Sequence, residues 1–171
     1  MKSTIAELDV EALIASLGEC LSKQMDERGL RDPLLVGIHT GGVWVAERLK
    51  QRLAISGALG QLNISFYRDD FSRLGMHPEV RPSQLPSTED RDVILIDDVL
   101  YSGRTVRAAL NELFDYGRPR QVLLGVLIER NGRELPIQAD CRGARIELAP
   151  GQRIKLTGPS PLRLELHTVD V

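Results

Sequence analysis

The chain has 171 residues, enough for one domain with a buried core but short for two. Hydrophobic residues make up 42% and charged residues 27%, which is typical of a globular protein, and an aromatic content of 4% predicts a core of aliphatic side chains. The formal net charge of −2 gives no general case for binding nucleic acid. No apolar run is long enough to span a membrane, so we expect a cytoplasmic protein without a membrane partner.

The charges are unevenly distributed along the chain. Residues 1–32 contain four basic and seven acidic side chains, whereas residues 118–163 contain nine basic and four acidic ones. Ordinary solvated surface charge explains such a bias, but an anionic partner for the second region stays open.

Cys20 and Cys141 are the only cysteines, and neither lies near a histidine with the spacing of a metal site. We expect two buried or incidental thiols.

Helix and strand patterns alternate in the first part of the chain. Apolar residues recur at helical spacing after Asp9, the predicted N-cap, and the helix is expected to stop at Gly29. Residues 34–38 form a short apolar run that predicts a buried strand. A second amphipathic helix is predicted from 43 to 53, and a second strand from 62 to 67.

The second half begins with a segment that has no core pattern. Residues 68–91 contain three prolines and little periodicity, which is typical of a functional lid or a disordered stretch. A strand from 93, a helix ending near Gly117 and a strand at 122–128 follow. Short strand-like runs are predicted at 145–148, 153–156 and 162–166.

This alternation predicts a mostly parallel sheet with helices on both faces. Ligands of such sheets bind at the carboxyl ends of the strands. The loops at 39–42 and 97–105 both follow predicted strands, so we expect them to open onto the same edge.

The most informative pattern is the run from Val93 to Ile96 that leads directly into Asp97 and Asp98. A loop with hydroxyls and a glycine follows, and then a helix. One aspartate could simply cap that helix, but two in tandem exceed what a cap needs, and their repulsion must be offset by a cation or by hydrogen-bond donors. Carboxylates suit ribose hydroxyls, and helix amides suit a phosphate, so the pattern predicts a sugar-phosphate site with Mg²⁺.

The two flanking loops are weaker signals by themselves. Ser102, Gly103 and Thr105 suit a monophosphate, but ordinary helix capping uses the same residues. Gly41 and Gly42 indicate either a tight turn or close backbone approach to a second anionic group. Neither a dinucleotide-binding glycine motif nor a P-loop is present.

In combination, these features resemble the type I phosphoribosyltransferases, whose signature is a hydrophobic strand, two acidic residues and a phosphate loop. The sequence of residues 96–110 is similar to that of the PyrR family. Further similar segments are 67–70, 117–119 and 133–140, and the resemblance extends from about residue 34 to 143.

The resemblance implies a single α/β domain of the type I phosphoribosyltransferase fold over residues 1–171, with a flexible loop at about 68–91 and a small hood at about 130–171. It implies conversion of uracil and phosphoribosyl pyrophosphate (PRPP) to UMP and pyrophosphate with Mg²⁺, and regulation of pyrimidine biosynthesis genes. It also implies binding of UMP or UTP, a leader RNA as partner, and a homodimer that can pair into a tetramer.

The resemblance also assigns roles to residues. Asp97 and Asp98 would be catalytic together with Arg68, and would bind Mg²⁺ through PRPP. The remaining PRPP-binding positions would be Thr40, Gly41, Gly42, Val99, Leu100, Tyr101, Ser102, Gly103, Arg104 and Thr105. The base or nucleotide would contact Tyr101, Arg130, Asp140 and Cys141, and RNA would contact Arg133, Arg142 and Arg145.

Three positions distinguish this chain from relatives that share the signature. Purine-salvage members have Asp where Tyr101 stands, so Tyr101, uncharged near neutral pH, favours a pyrimidine. The family usually has Thr-Arg-Gly where this chain has Thr40-Gly41-Gly42, so Gly41→Arg is expected to raise transfer. Cys141 replaces a usual aromatic residue. The replacements at Gly41 and Cys141, together with a C-terminal tail at 144–171 that does not follow the usual family ending, motivate an alternative function, a catalytically weak or inactive nucleotide sensor that acts through RNA or a partner protein.

Overall fold

The structure is a computed structural model that describes residues 5, 8–64 and 83–169. The strands are β1 (Leu34–Ile38), β2 (Gly60–Leu62), β3 (Asp92–Leu100), β4 (Gln121–Arg130), β5 (Cys141–Ile146), β6 (Gln152–Thr157) and β7 (Arg163–Thr168), and the helices are α1 (Val10–Arg28), α2 (Gly41–Arg52) and α3 (Arg104–Asp115). Strands β1 to β5 form one sheet in the order β2-β1-β3-β4-β5, with every neighbouring pair parallel. This confirms the predicted α/β class. No helix in the described residues is long and apolar enough to cross a membrane.

The helices cover the sheet on both faces. Helices α1 and α2 pack on one face against Leu35, Ile94 and Ile96, whereas α3 packs on the other face. Because successive side chains of a strand point to opposite faces, a strand buried on both sides needs apolar residues at every position. That is why β1 and the first part of β3 are continuous apolar runs.

Helix α1 begins and ends where its sequence predicts. The Asp9 carboxylate accepts hydrogen bonds from the amides of Glu11 (3.0 Å) and Ala12 (3.3 Å), as an N-cap residue does. Gly29 ends the helix in the left-handed conformation, with φ of 62°.

The described end of the predicted flexible segment is fixed to the sheet. Gln84 forms an antiparallel bridge with Gln61 of β2, and the Asn63 amide donates to Ser83 Oγ at 2.9 Å. Thr88 is buried and donates from Oγ1 to the Leu113 carbonyl at 3.1 Å. Residues 83–91 are therefore part of the packed domain. The rest of the segment, and the predicted strand residues 65–67, lie outside the described residues.

Cys20 and Cys141 form a disulfide bond, which corrects the expectation of two buried or incidental thiols: Cys141 is buried, but neither cysteine is a free thiol. They are 121 residues apart, so no local spacing in the sequence indicates the pair. The fold brings them together because α1 packs against β5. Arg28 of α1 also forms an ion pair at 2.7 Å with Asp140, the residue directly before β5. A disulfide and an ion pair therefore join α1 to the start of β5.

We expect the disulfide to stabilise the protein by about 2–4 kcal/mol, because it closes a long loop in the unfolded chain. A thiol reductant should lower the melting temperature of the wild type and leave that of a Cys20→Ala/Cys141→Ala double variant unchanged. Two free thiols in the native, unreduced protein would contradict this pairing.

Candidate functional site

The candidate site lies where the strand order of the sheet reverses. The chain leaves β1 toward β2 on one side, and leaves β3 toward β4 on the other. Strands β1 and β3 pair from Leu34–Val93 to Gly37–Ile96, and β3 then continues past the end of β1. Such a switch point leaves a crevice at the carboxyl ends of the two strands, which is the usual ligand site in this architecture.

The acidic pair lies inside β3, not after it, because β3 continues to Leu100 alongside β4. Asp97 is only 4% exposed, and its Oδ1 accepts the Asp98 amide at 2.9 Å. Asp98 is half-buried, and its Oδ1 accepts the Val99 amide at 2.9 Å. Strand alternation directs the two carboxylates to opposite faces, so one approaches α3 and the other approaches α2.

Asp97 borders a small cavity at the start of α3. The cavity has a volume of about 80 Å³ and is lined by Asp97, Val99, Leu100, Tyr101, Ser102, Gly103, Thr105 and Val106. Gly103, with φ of 95°, turns the chain into the helix. The amides of Thr105 and Val106 have no hydrogen-bond partner within the described part of the chain. Free amides at a helix start beside two hydroxyl side chains suit a phosphate-sized anion.

The segment before β5 supports this loop, a feature that sequence reasoning missed. The Ser102 carbonyl accepts the amides of Glu134 and Leu135, both at 3.0 Å. The Glu134 carboxylate also holds the Arg104 guanidinium, at 3.0 Å. The Arg104 side chain is therefore engaged with Glu134, and its amide donates to Ser102 Oγ at 3.2 Å, so the described structure does not place Arg104 in the cavity lining that the sequence predicts for it. The segment 133–137 could be recognised in the sequence only as part of the family resemblance.

The loop at Thr40–Gly42 approaches Asp98 with no room for a side chain. A Cβ atom at Gly41 would lie 2.2 Å from Asp98 Oδ2 and 2.9 Å from Asp98 Cβ, and one at Gly42 would lie 2.6 Å from the Ile96 carbonyl oxygen. Behind the loop, a Cβ at Gly37 would lie 2.6 Å from Val43 Cα. The three glycines let the start of α2 press directly on β1 and β3, so the loop presents backbone to the crevice.

The structure reverses the expectation that Gly41→Arg improves the site. Even the Cβ of Gly41→Ala must displace Asp98, and a displacement of about 1 Å in a reacting site costs about 100-fold in rate. We expect both variants to lower kcat/KM for UMP formation by about that factor. Gly18→Ala is the matched control, because the nearest atom to its Cβ, at 3.1 Å, is Cδ of the flexible Arg52 side chain. Activity at or above wild type in Gly41→Arg would contradict the geometry.

Two of the four predicted base-binding residues meet at the site. The Arg130 guanidinium lies over the Tyr101 ring, 4.1 Å from its centroid, and Tyr101 is 48% exposed beside the cavity. Asp140 and Cys141 are placed differently. Asp140 accepts the Leu124 amide at 2.8 Å as well as the Arg28 guanidinium, and the buried Cys141 sulfur is bonded to Cys20. Their polar groups are used to join α1, β4 and β5, which corrects the prediction that they contact a base.

The three arginines predicted to contact RNA are all exposed, Arg133 in the β4–β5 loop and Arg142 and Arg145 on β5. Arg142 is paired with Glu129. Arg68, the third predicted catalytic residue, lies outside the described residues.

A larger open groove of about 680 Å³ lies between the end of α2 and β2. It contains none of the motif residues, so we assign the site to the switch point. In residues 5, 8–64 and 83–169, no group of three or more His, Cys, Asp or Glu side chains is placed to hold a metal ion.

Comparison with known proteins agrees with this fold. The protein-family model of the phosphoribosyl transferase domain matches residues 7–151 of this chain. A "Bifunctional protein PyrR" of Nitrosococcus oceani is 58% identical over 95% of this chain and 94% of its own length, and one of Pseudomonas syringae pv. tomato is 56% identical over 91% and 92%. 

Solved structures show the same fold at lower identity. A hypoxanthine-guanine phosphoribosyltransferase from Bacillus anthracis has a TM-score of 0.68 at 18% identity, over 88% of this chain and 86% of its own. A hypoxanthine phosphoribosyltransferase from Staphylococcus aureus has a TM-score of 0.65 at 23% identity, over 83% and 77%. The chain therefore belongs to the phosphoribosyl transferase domain family and, within it, to the family of PyrR proteins.

Proposed function

We propose that the protein binds PRPP at the switch point between β1 and β3 and transfers its ribosyl phosphate to uracil, giving UMP and pyrophosphate. We also propose that nucleotide binding in the same pocket controls how the protein regulates pyrimidine biosynthesis genes. The observation that carries the proposal is the placement of two carboxylates, an amide-lined cavity and a glycine loop around one crevice. The names of the PyrR relatives support it.

Each part of PRPP has a matching group in the crevice. The Asp97 and Asp98 carboxylates accept hydrogen bonds from the 2′- and 3′-hydroxyls of the ribose. The free amides of Thr105 and Val106, with the hydroxyls of Ser102 and Thr105, hold the 5′-phosphate. The backbone at Thr40–Gly42 faces the pyrophosphate.

The reaction breaks the bond between C1′ and pyrophosphate and forms one from a ring nitrogen of uracil to C1′. Positive charge develops on the ribose as the leaving group departs, and the two carboxylates lie where they can stabilise it. The uracil nitrogen loses its proton to water, and the bonding electrons of the broken bond leave with the pyrophosphate. Fixing the ribose by both hydroxyls and the phosphate holds C1′ in line for attack.

The oxygen-rich donor set of this crevice fits Mg²⁺, which binds carboxylates and substrate phosphates and not nitrogen or sulfur cages. Asp97 and Asp98 would hold it together with PRPP, and its charge would neutralise the pyrophosphate.

Tyr101 selects a pyrimidine in this proposal. Related purine enzymes place a carboxylate at this position, whereas Tyr101 brings a phenol ring and no carboxylate that could pair with a purine ring nitrogen. We expect UMP formation from uracil and none of the corresponding product from hypoxanthine or guanine.

Steady-state formation of UMP from uracil and PRPP by the purified protein tests the catalytic proposal. A rate equal to the background, together with intact UMP binding, would instead favour the nucleotide sensor that lacks turnover. Binding of a leader RNA is tested by its salt dependence, because phosphate contacts release counterions and a steep loss of affinity with salt is expected. Analytical ultracentrifugation tests the proposed dimer and tetramer.

A further inference from the structure

The end of β4 joins the nucleotide pocket to the hairpin formed by β6 and β7. The Arg130 guanidinium stacks on the Tyr101 ring, and its Nη1 donates to the carbonyl of Gln152, the first residue of β6, at 3.1 Å. Its Nε donates to the Asn131 carbonyl at 3.2 Å. Two donors of the fork are thus committed to backbone oxygens, which fixes the plane that lies over the ring.

The next two residues complete the contact. Asn131 pairs with Leu148 in both directions: its Nδ2 donates to the Leu148 carbonyl at 3.1 Å, and its Oδ1 accepts the Leu148 amide at 2.9 Å. Gly132, with φ of 104°, lies against the edge of the Tyr101 ring, and a Cβ there would be 2.6 Å from Tyr101 Cε2. Residues 130–132 therefore contact the Tyr101 ring on one side and, through Leu148, hold the connection between β5 and β6 on the other.

Tyr101 needs such support because of where it lies. Its ring is 48% exposed, and it precedes the loop that lines the anion cavity. An exposed ring with few packing contacts changes rotamer freely, whereas a stacked guanidinium restrains it.

We propose that Arg130 is a positioning residue for Tyr101: its guanidinium holds the ring in place at the pyrimidine pocket and ties it to the hairpin backbone at Gln152. This inference rests on the proposed function, since it concerns how that site recognises its base. Arg130 acts on the nucleotide through Tyr101 and not by its own charge. It differs in this from the direct base contact that the sequence predicts.

A double-mutant cycle separates the two roles. In the wild-type background, we expect Arg130→Gln and Arg130→Lys to weaken UMP binding alike, by about 5-fold, because lysine keeps the charge but not the planar stack with its backbone bond. In a Tyr101→Leu background, Arg130→Gln should add less than about 1.5-fold, because the ring through which it acts is gone. UMP affinity is measured by titration calorimetry. The control is Gln138→Ala, an exposed residue in the connection between β4 and β5, and it is expected to match the wild type.

Kinetics and hydrogen exchange give independent measurements. The KM for uracil should rise in Arg130→Gln while the KM for PRPP stays unchanged. In the absence of ligand, amide exchange at residues 101–105 should accelerate in Arg130→Gln and not in Gln138→Ala.

Additive losses in the cycle, or near wild-type UMP affinity in Arg130→Lys, would overturn the positioning role in favour of direct contact. Unchanged exchange at 101–105 would also overturn it. A wild-type protein that binds neither UMP nor PRPP would defeat the proposed function instead, and the exchange measurement would still decide whether Arg130 restrains the loop.

Discussion

Replacing Asp98 by asparagine is expected to lower kcat/KM for UMP formation by about 10- to 100-fold, because a hydrogen bond to a charged group is worth about 1.5–3 kcal/mol. Asp98 is half-buried with its Oδ2 against Gly41, and in the proposed function its carboxylate accepts a ribose hydroxyl. An asparagine amide presents a donor in place of one of the two acceptor oxygens. It also removes one of two adjacent like charges.

The fold should tolerate this change. Within the described residues, the Asp98 side chain accepts a local hydrogen bond from the Val99 amide, which the asparagine oxygen can also accept. We therefore expect a melting temperature close to that of the wild type. Asp115→Asn, at the exposed end of α3, is the matched control for loss of one negative charge. Loss of activity that is matched by a large fall in melting temperature would assign Asp98 to the fold and not to the site.

Asp92→Asn is expected to destabilise the protein by about 2 kcal/mol, because folding lowers the pKa of Asp92 from 3.8 to about 2 and one pKa unit corresponds to about 1.36 kcal/mol. Asp92 is buried at the amino end of β3, the end of the strand opposite the site. Arg120 binds both of its oxygens, and the Arg31 amide and Gln121 side chain add bonds at 3.0 and 3.1 Å.

This arrangement makes stability depend on pH. The hydrogen bonds from Arg120 lower the pKa of Asp92 from 3.8 to about 2, and the bonds from Arg31 and Gln121 act in the same direction, against the opposing effect of burial. Because the pKa is lower in the folded state, the stabilisation is complete above about pH 4 and disappears as the pH falls through about 2. Asp92→Asn should abolish this part of the acid dependence.

Urea unfolding between pH 7 and pH 2 measures both effects. Asp90→Asn serves as the control, because Asp90 is exposed and asparagine tolerates its positive φ of 54°. A free energy of unfolding that differs from the wild type by the same amount at pH 2 and pH 7 would show that the loss comes from packing and not from the charge.

Local patterns predicted the elements that depend on local chemistry. Asp9 and Gly29 are sufficient to fix the ends of α1, and the apolar run of β1 follows from burial on both faces. The proximity of the acidic pair to the glycine loop could be predicted, because parallel strands bring their carboxyl ends together. The continuation of β3 to Leu100 was not predicted, since a strand that ends in polar residues and one that continues beyond its neighbour look alike in sequence.

Contacts between distant segments could not be predicted. Cys141 reads as a free thiol until α1 is packed on β5, and the same packing occupies Asp140. The geometry argues against the expected benefit of Gly41→Arg for a similar reason: the motif gives the charge of a side chain, whereas the distance to Asp98 depends on how α2 packs on the sheet.

The glycine contact with Asp98 has a consequence for how this sequence can diverge. If Gly41 and Asp98 occupy space that only one of them can fill, then the arginine usual in the family cannot be reached from this chain by one tolerated substitution. A shift of the α2 start must come first, so the effect of residue 41 depends on the background in which it is tested. Replacing the loop 39–42 and α2 together by those of a relative is expected to keep activity where Gly41→Arg alone lowers it. The loop and the helix would then change together in evolution, and not one residue at a time.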